Sequence, residues 1–373
     1  MDKKEIVKMN TQILYISSIP WNYAWHRQQE MVSKLAEEGF EILFVEPCTK
    51  RLFKSNLVKK TENVWVLSPS GLPYERVLRC VNAFNAKSSK RQIKKALKKI
   101  GFSNPIVWLD RVHGFDFKHF SKESYVVYDL IDEILAFGRV RNNKMLISLE
   151  NKVLRRADLL VSSSQTLLNR KTVQCGGREK PSKFIPNGVD VTRFESEEKW
   201  QELKGFARPI IGFIGTISQR SLDYELIGSL ATRNKEWNFV FVGPGTLEDK
   251  EKLKGDNVFV FDKVDGSLIS KVINSFDVGI IPYVCEGESM DYVFPRKACE
   301  FLAAGKPVVA TPLNELGVFG ESVFVANGVE EFEKFVRISL EQKNLKQSRR
   351  DYVRKFDWNV LLKDLAKGLL EIK

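Results

Sequence analysis

Lys297 and Glu300 stand three residues apart in FPRKACEFLAAGKPVVAT (294–311), a segment that reads as a helix running into a short strand. That spacing places both side chains on one helix face, and Pro295 suits the first turn. A helix N-terminus offers free N–H groups and a positive dipole end to an anion such as a diphosphate, and Lys297 adds a full charge there. Glu300, one turn deeper, carries the two acceptor oxygens that a pair of ribose hydroxyls needs. A surface Lys/Glu pair on an amphipathic helix is the competing reading.

Gly212 and Gly215 in IIGFIGT (210–216) close a predicted strand where a tight turn lets backbone approach a phosphate, and Arg220 follows as the neutralising cation. Gly243 in FVGPG (241–245) marks a similar turn, and a plain strand turn with a solvated arginine explains the pattern nearly as well. No complete G-x-G-x-x-G follows the first strand of either half, which counts against a nicotinamide or flavin dehydrogenase. In SSIPWNYAWHRQQE (17–30), Trp21 and Trp25 can stack on a sugar or lipid-linked acceptor while Arg27 neutralises a pyrophosphate. They serve equally well as a hydrophobic staple for the next helix. No DxD, HExxH or His/carboxylate cluster at ligand spacing is present, so no metal site is expected.

Two sets of elements must position these residues. Strands are predicted at 13–18, 41–47, 64–68, 105–110, 125–130 and 158–164, with helices near 25–39, 75–100, 142–157 and 165–174. After the turn formers Pro186, Asn187 and Gly188 a second series begins, with strands at 209–215, 237–243, 258–261, 278–283 and 306–311 and helices near 223–233, 266–275, 295–304 and 329–341. Alternation of this kind indicates βαβ units and parallel sheets buried on both faces. The length of 373 residues suits two domains, 1–190 and 191–355, with an amphipathic helix at 356–373 returning to the first.

PNGVD (186–190), IIGFIGT, FVGPG and above all the 294–311 block resemble the GT-B nucleotide-sugar glycosyltransferases. The nearest likeness is to the large family-four group and related enzymes that build bacterial cell-surface polysaccharides such as teichuronic acid. The resemblance covers effectively the whole chain. It implies an α/β fold of two Rossmann-like doubly wound domains facing across a cleft, with acceptor bound by the first and nucleotide-sugar by the second. It places the ribose on Glu300, the phosphates in the neighbourhood of Lys297 and the base beside the FVGPG loop of Gly243; Pro295, Gly215 and Arg220 join the expected donor site by their positions. The chain departs from the family-four pattern at Tyr292, where that group has a glutamate; Asp291 or Glu288, in the acidic loop 284–294, is the available substitute.

An inverting transfer needs a general base in the first domain. Asp132, after a predicted strand, is the first choice, with Asp129, Asp110, His113 and His26 as other titratable groups; a carboxylate there also serves as a plain helix cap. A retaining enzyme needs no such base.

The net charge of +12 is unevenly placed. Residues 1–190 hold 33 Lys+Arg and 19 Asp+Glu, residues 191–373 hold 26 and 28, and residues 50–99 alone hold 14 basic and 2 acidic side chains. In AKSSKRQIKKALKKIGF (86–102), Ile93, Leu97 and Ile100 form a narrow apolar stripe beside Lys94, Lys95, Lys98 and Lys99, the pattern of a helix lying on an anionic membrane. The alternative is a solvated helix packed on the sheet by that stripe. Five scattered cysteines, no CxxC, no apolar h-region and no long apolar run point to a reduced cytoplasmic compartment and a peripheral membrane contact.

The expected activity is metal-independent transfer of a sugar from a UDP- or GDP-sugar to a surface polysaccharide or lipid-linked acceptor, with no cofactor beyond the substrate. Two alternatives remain open: a sugar-nucleotide epimerase on the same fold, and a nucleic-acid-binding protein using residues 50–99.

Overall fold

Runs such as QILYI, EILFV, VVYDL and IIGFI carry apolar side chains on both faces of a strand, so they are stable only in a parallel sheet covered by helices on each side. A computed structural model describes residues 11–23, 25–48, 55–133, 144–175, 180–285 and 290–372, and arranges these runs in that way. The chain divides into two units, residues 1–185 with 362–373, and residues 186–361.

The first unit contains β1 (Gln12–Ile16), α1 (Arg27–Glu37), β2 (Glu41–Val45), β3 (Asn56–Lys59), β4 (Val64–Ser68), α2 (Arg79–Ile100), β5 (Ile106–Leu109), α3 (Phe117–Phe120), β6 (Val126–Leu130), α4 (Lys144–Arg156), β7 (Leu159–Ser162), α5 (Gln165–Gln174) and β8 (Ser182–Phe184). Its sheet runs in the order β3-β4-β2-β1-β5-β6-β7-β8, parallel except for β3, which pairs antiparallel with β4. The reversal of strand order beside β1 puts the carboxyl ends of β1 and β5 at the switch point, where open α/β sheets bind ligands.

The second unit contains β9 (Ile210–Ile214), α6 (Tyr224–Arg233), β10 (Asn238–Val242), α7 (Leu247–Leu253), β11 (Val258–Phe261), α8 (Ile269–Ser275), β12 (Val278–Ile281), α9 (Arg296–Ala303), β13 (Val308–Ala310), β14 (Phe324–Val325), α10 (Val329–Glu341) and α11 (Lys346–Val353). Its sheet is β11-β10-β9-β12-β13-β14, all parallel, with β9 and β12 at the switch point. The last helix, α12 (Trp358–Leu370), starts in this unit and ends in the first.

Six of these strands and helices lie outside the predicted set. β3, β8 and β14 are short edge strands, and α3 is a single turn. α7 (LEDKEKL) and α11 (KQSRRDYV) bury one or two residues each and lack a wide apolar face.

One orientation corrects the sequence reading. Ile93 is fully buried, with Asn85, Ser89 and Ala96 on the same side of α2, and Leu97 and Ile100 are half-buried, so the stripe expected to lie on a membrane turns toward the protein instead. A side chain sealed in the core has no area left to give a bilayer. Lys94, Lys95, Lys98 and Lys99 all point to solvent, whereas residues 50–54 of the preceding basic segment fall outside the described residues.

Candidate functional site

β9 and β10 lie side by side, and each ends in a glycine turn with positive φ, +152° at Gly215 and +157° at Gly243. The turns are tied by Gly215 N–H donating to the Val242 carbonyl (2.9 Å) and Ile217 N–H to the Pro244 carbonyl (2.8 Å). A Cβ on Gly243 would fall 1.8 Å from the Gly215 oxygen. Both residues must therefore be glycine. Gly212 plays another part, for it lies within β9, and its missing side chain leaves the space filled by the Phe276 ring, 2.1 Å from where a Cβ would be. It cannot approach a phosphate as expected, because that ring covers it.

α9 follows β12 and begins after Pro295, which occupies the N-cap position and accepts from Ala298 N–H at 2.9 Å. From its first turn, Lys297 extends over the Gly215 turn. A Cβ on Gly215 would meet Lys297 Cε at 2.1 Å and Nζ at 2.8 Å, and the ammonium sits 5.8 Å from the Phe213 ring centroid. It is half-buried and has no carboxylate partner among the described residues. Glu300 is buried and accepts from Arg296 Nε at 2.9 Å, one turn back. The competing Lys297–Glu300 pair is thus not formed: the arginine holds the glutamate and leaves the lysine over the glycine turn. Arg220 is exposed beyond β9.

Tyr292, at the position where family four has a glutamate, is buried in a short turn (Met290–Tyr292). Asp291 is exposed, and its backbone carbonyl accepts from Asn314 Nδ2; Glu288 is outside the described residues. Asn187, which the sequence marks only as a turn former, has its Oδ1 buried without a hydrogen-bond partner, and its carbonyl accepts from Cys299 Sγ of α9.

In the first unit the expected acceptor residues separate into two groups. Trp25, Tyr23 and His26 are exposed at the N-terminus of α1, with Tyr23 stacked on His26 at 5.6 Å. Trp21 and Arg27 are not presented to an acceptor. Trp21 packs edge-on against Phe44 (5.1 Å) and donates its backbone N–H to Glu46 Oε1 (2.8 Å). Arg27 is buried against Asp129, with Nη2 3.1 Å from Oδ1, and donates Nη1 to the Ile185 carbonyl at 2.6 Å. A guanidinium so enclosed serves the core, where each half of the pair compensates the other's desolvation.

The candidate bases also differ. Asp132 is exposed just past β6, yet desolvation by the surrounding protein raises its carboxyl above the usual range. Asp110, at the carboxyl end of β5, is pushed up to about 7, first by burial and then by the Asp129 charge. Neither of its oxygens makes a well-formed hydrogen bond, and Tyr15 Oη and Trp108 Nε1 on the same central strands are also unpaired. This group of buried polar atoms in an apolar sheet has no signal in the sequence beyond a strand-end aspartate. His113 is buried and held well below its ordinary value by burial and by Arg111 and Arg76. It accepts from Arg76 Nε at 3.2 Å, so it is a neutral structural acceptor. Among the described residues no three His, Cys, Asp or Glu side chains gather as a metal site, and all five cysteines are unpaired.

Two Rossmann-like units, each built on a mainly parallel sheet, make up the GT-B architecture. Solved structures share that fold: sucrose-phosphate synthase from Thermosynechococcus elongatus, at 14% identity, matches with a TM-score of 0.75 over 96% of this chain and 98% of that one. HepE of Anabaena, solved in complex with UDP and glucose, matches at 15% identity with a TM-score of 0.68 over 97% and 100%. Residues 208–340 match the family model described as glycosyl transferases group 1. A Bacillus subtilis (strain 168) protein named as the teichuronic acid biosynthesis glycosyltransferase TuaH is 31% identical over 267 residues, 65% of this chain and 66% of that protein. Residues 208–340 thus resemble a group 1 glycosyl transferase domain, the chain has a GT-B fold, and it spans just under two thirds of the length of the curated relative it matches.

Proposed function

We propose that this chain is a glycosyltransferase that moves a sugar from a UDP- or GDP-sugar to a surface glycan or lipid-linked acceptor. The observation that carries the reading is the half-buried ammonium of Lys297 over the Gly215 turn, beside the N-terminus of α9. A diphosphate leaving group placed there gains a full positive charge and a helix-end dipole where its own charge develops, the role that a metal fills in other transferases. Glu300, oriented by Arg296, takes the ribose hydroxyls, and exposed Arg220 reaches the phosphates from solvent. If the anomeric centre inverts, Asp132 is the base: it is solvent-accessible, and its raised pKa brings it closer to the working pH. Trp25 and His26 supply a surface on which an acceptor sugar stacks. The cationic face of α2 supports a peripheral contact at the inner face of the cell membrane, where a lipid-linked acceptor resides.

Equilibrium binding of UDP and GDP to the wild type and to Lys297→Ala and Glu300→Ala tests this reading. Loss of a charge-assisted contact predicts about tenfold weaker binding or more in each. Undiminished affinity in both variants sinks it. Nucleotide release that requires no acceptor points instead to an epimerase.

A further inference from the structure

Among the described residues Lys171 is the one lysine that the fold seals, with 1% of its side chain exposed on α5. Its ammonium donates to Glu133 Oε1 at 2.8 Å and to Glu150 Oε2 at 2.9 Å, and both carboxylates are buried as well. Tyr128 Oη of β6 donates to the other oxygen of Glu150 at 3.2 Å, and Arg170 Nε stands 3.7 Å from Glu133 Oε2. Taking a lysine and two carboxylates out of water is costly, and well-packed apolar replacements of such networks are often neutral or stabilising. Stability alone therefore does not account for the group. Its location does, because Glu133 directly follows Asp132. On the other side of Asp132, Ser163 Oγ donates to the Ile131 carbonyl at 3.1 Å and Ser162 Oγ to the Leu130 carbonyl at 2.8 Å. Both neighbours of Asp132 are thus fastened to the β7–α5 segment, Ile131 by its backbone and Glu133 through Lys171. The Asp132 side chain between them stays exposed.

We infer that Lys171 is a positioning residue for sugar transfer: by holding Glu133 it fixes the chain where it leaves β6, and so keeps the Asp132 carboxylate directed at the acceptor hydroxyl. This role rests on the reading of Asp132 as the base given above, and adds the residues that hold it. An aspartate has a short stem, so the place of its carboxylate follows from the place of its backbone. A shift of about 1 Å at a reacting group can cost about a hundredfold in rate. Hydrogen bonds from one ammonium to two carboxylates fix direction as well as distance, which an apolar contact at the same point does not. Sealed in the core, Lys171 meets no acceptor itself and acts only through Glu133. A network that served stability alone would affect the whole unit when cut and would leave no separate mark on Asp132.

Two variants that carry the same net charge at the cluster separate position from electrostatics. Glu133→Gln keeps an acceptor oxygen for Lys171 and leaves the lysine opposite Glu150. Lys171→Met/Glu133→Gln/Glu150→Gln cuts the tie and leaves none of these three sites charged. The carboxyl carbon of Asp132 is followed by NMR in protein carrying isotope-labelled aspartate, and is assigned by its loss in Asp132→Asn. It is expected to titrate above 3.8 in wild type and in Glu133→Gln, and to move down toward 3.8 in the triple variant as the released segment gains solvent. Amide exchange at residues 130–133 should quicken about tenfold or more in the triple variant alone, since a charge-assisted hydrogen bond is lost there. Ser163→Ala, which removes only the bond to Ile131 and disturbs no buried charge, should give the same changes in smaller measure, and carries the test if the triple variant does not fold. Equal titration and exchange in the triple variant and Glu133→Gln overturn the inference, as does an equally large change in Glu133→Gln, which would make charge and not position the cause. UDP and GDP affinity keeps the two readings apart. Wild type that binds neither nucleotide sinks the transferase reading, whereas normal nucleotide binding with an unmoved Asp132 sinks the role of Lys171 alone.

Discussion

Lys297 occupies the space that a side chain on Gly215 would need: a Cβ there would lie 2.1 Å from the lysine Cε. The two residues are 82 positions apart in sequence, yet the turn after β9 and the first turn of α9 are shaped around each other. The glycine is as much a part of the cation's position as the helix that carries it.

Gly215→Ala is therefore expected to displace Lys297 as well as strain a turn whose φ is +152°. The expected result is a loss of about 1–3 kcal/mol in stability and a drop of about tenfold or more in UDP affinity. Gly205→Ala, where nothing lies within 4 Å of the added methyl, serves as the control and should leave nucleotide binding unchanged. Calorimetric titration with UDP and thermal melting of both variants decide the matter; equal nucleotide affinity in Gly215→Ala and wild type refutes the coupling.

Arg27→Met should behave as a core mutation. It leaves Asp129 buried and uncompensated beside Asp110, which costs about 3–5 kcal/mol. Urea denaturation is expected to show a lower midpoint with an unchanged slope. The double variant Arg27→Met/Asp129→Leu should recover much of the loss. A fully stable Arg27→Met whose only defect is weaker acceptor binding would return the arginine to an acceptor role.

Asp110 makes stability fall with rising pH. Its folded pKa of about 7 stands above the reference 3.8, so between these values the native state holds a proton that the unfolded chain has released. The slope of unfolding free energy against pH is then negative in that window and flattens above it. Asp110→Asn removes this dependence. Its stability relative to wild type should improve by about 2–3 kcal/mol between pH 5 and pH 8. Paired urea titrations at the two pH values measure this, and a constant difference would show that the carboxyl does not titrate there.

Much of the fold was legible because buried parallel strands are continuous apolar runs. VVYDL and IIGFI admit few other placements, and the punctuation at Pro186, Asn187 and Gly188 falls where the two units divide. Short edges such as β3 and β14 carry no comparable signal: the first is mostly solvent-exposed and the second is two residues long. The direction of the α2 stripe was undetermined for a related reason. Ile93, Leu97 and Ile100 define an apolar face by periodicity alone, and that face fits a sheet or a bilayer equally.

By itself, the sequence determined which chemistry is present: a lysine and a glutamate on one face of a helix, glycine turns at strand ends, and a concentration of positive charge within residues 50–99. These follow from residue type and local spacing. Tertiary structure alone decided which of those groups are available. It joined Glu300 to Arg296 and freed Lys297, enclosed Arg27 and Trp21, filled the space beside Gly212 with Phe276, and left Tyr74 and Phe84 in solvent. Burial and long-range pairing depend on what packs against a side chain from distant parts of the chain, and no local pattern contains that information.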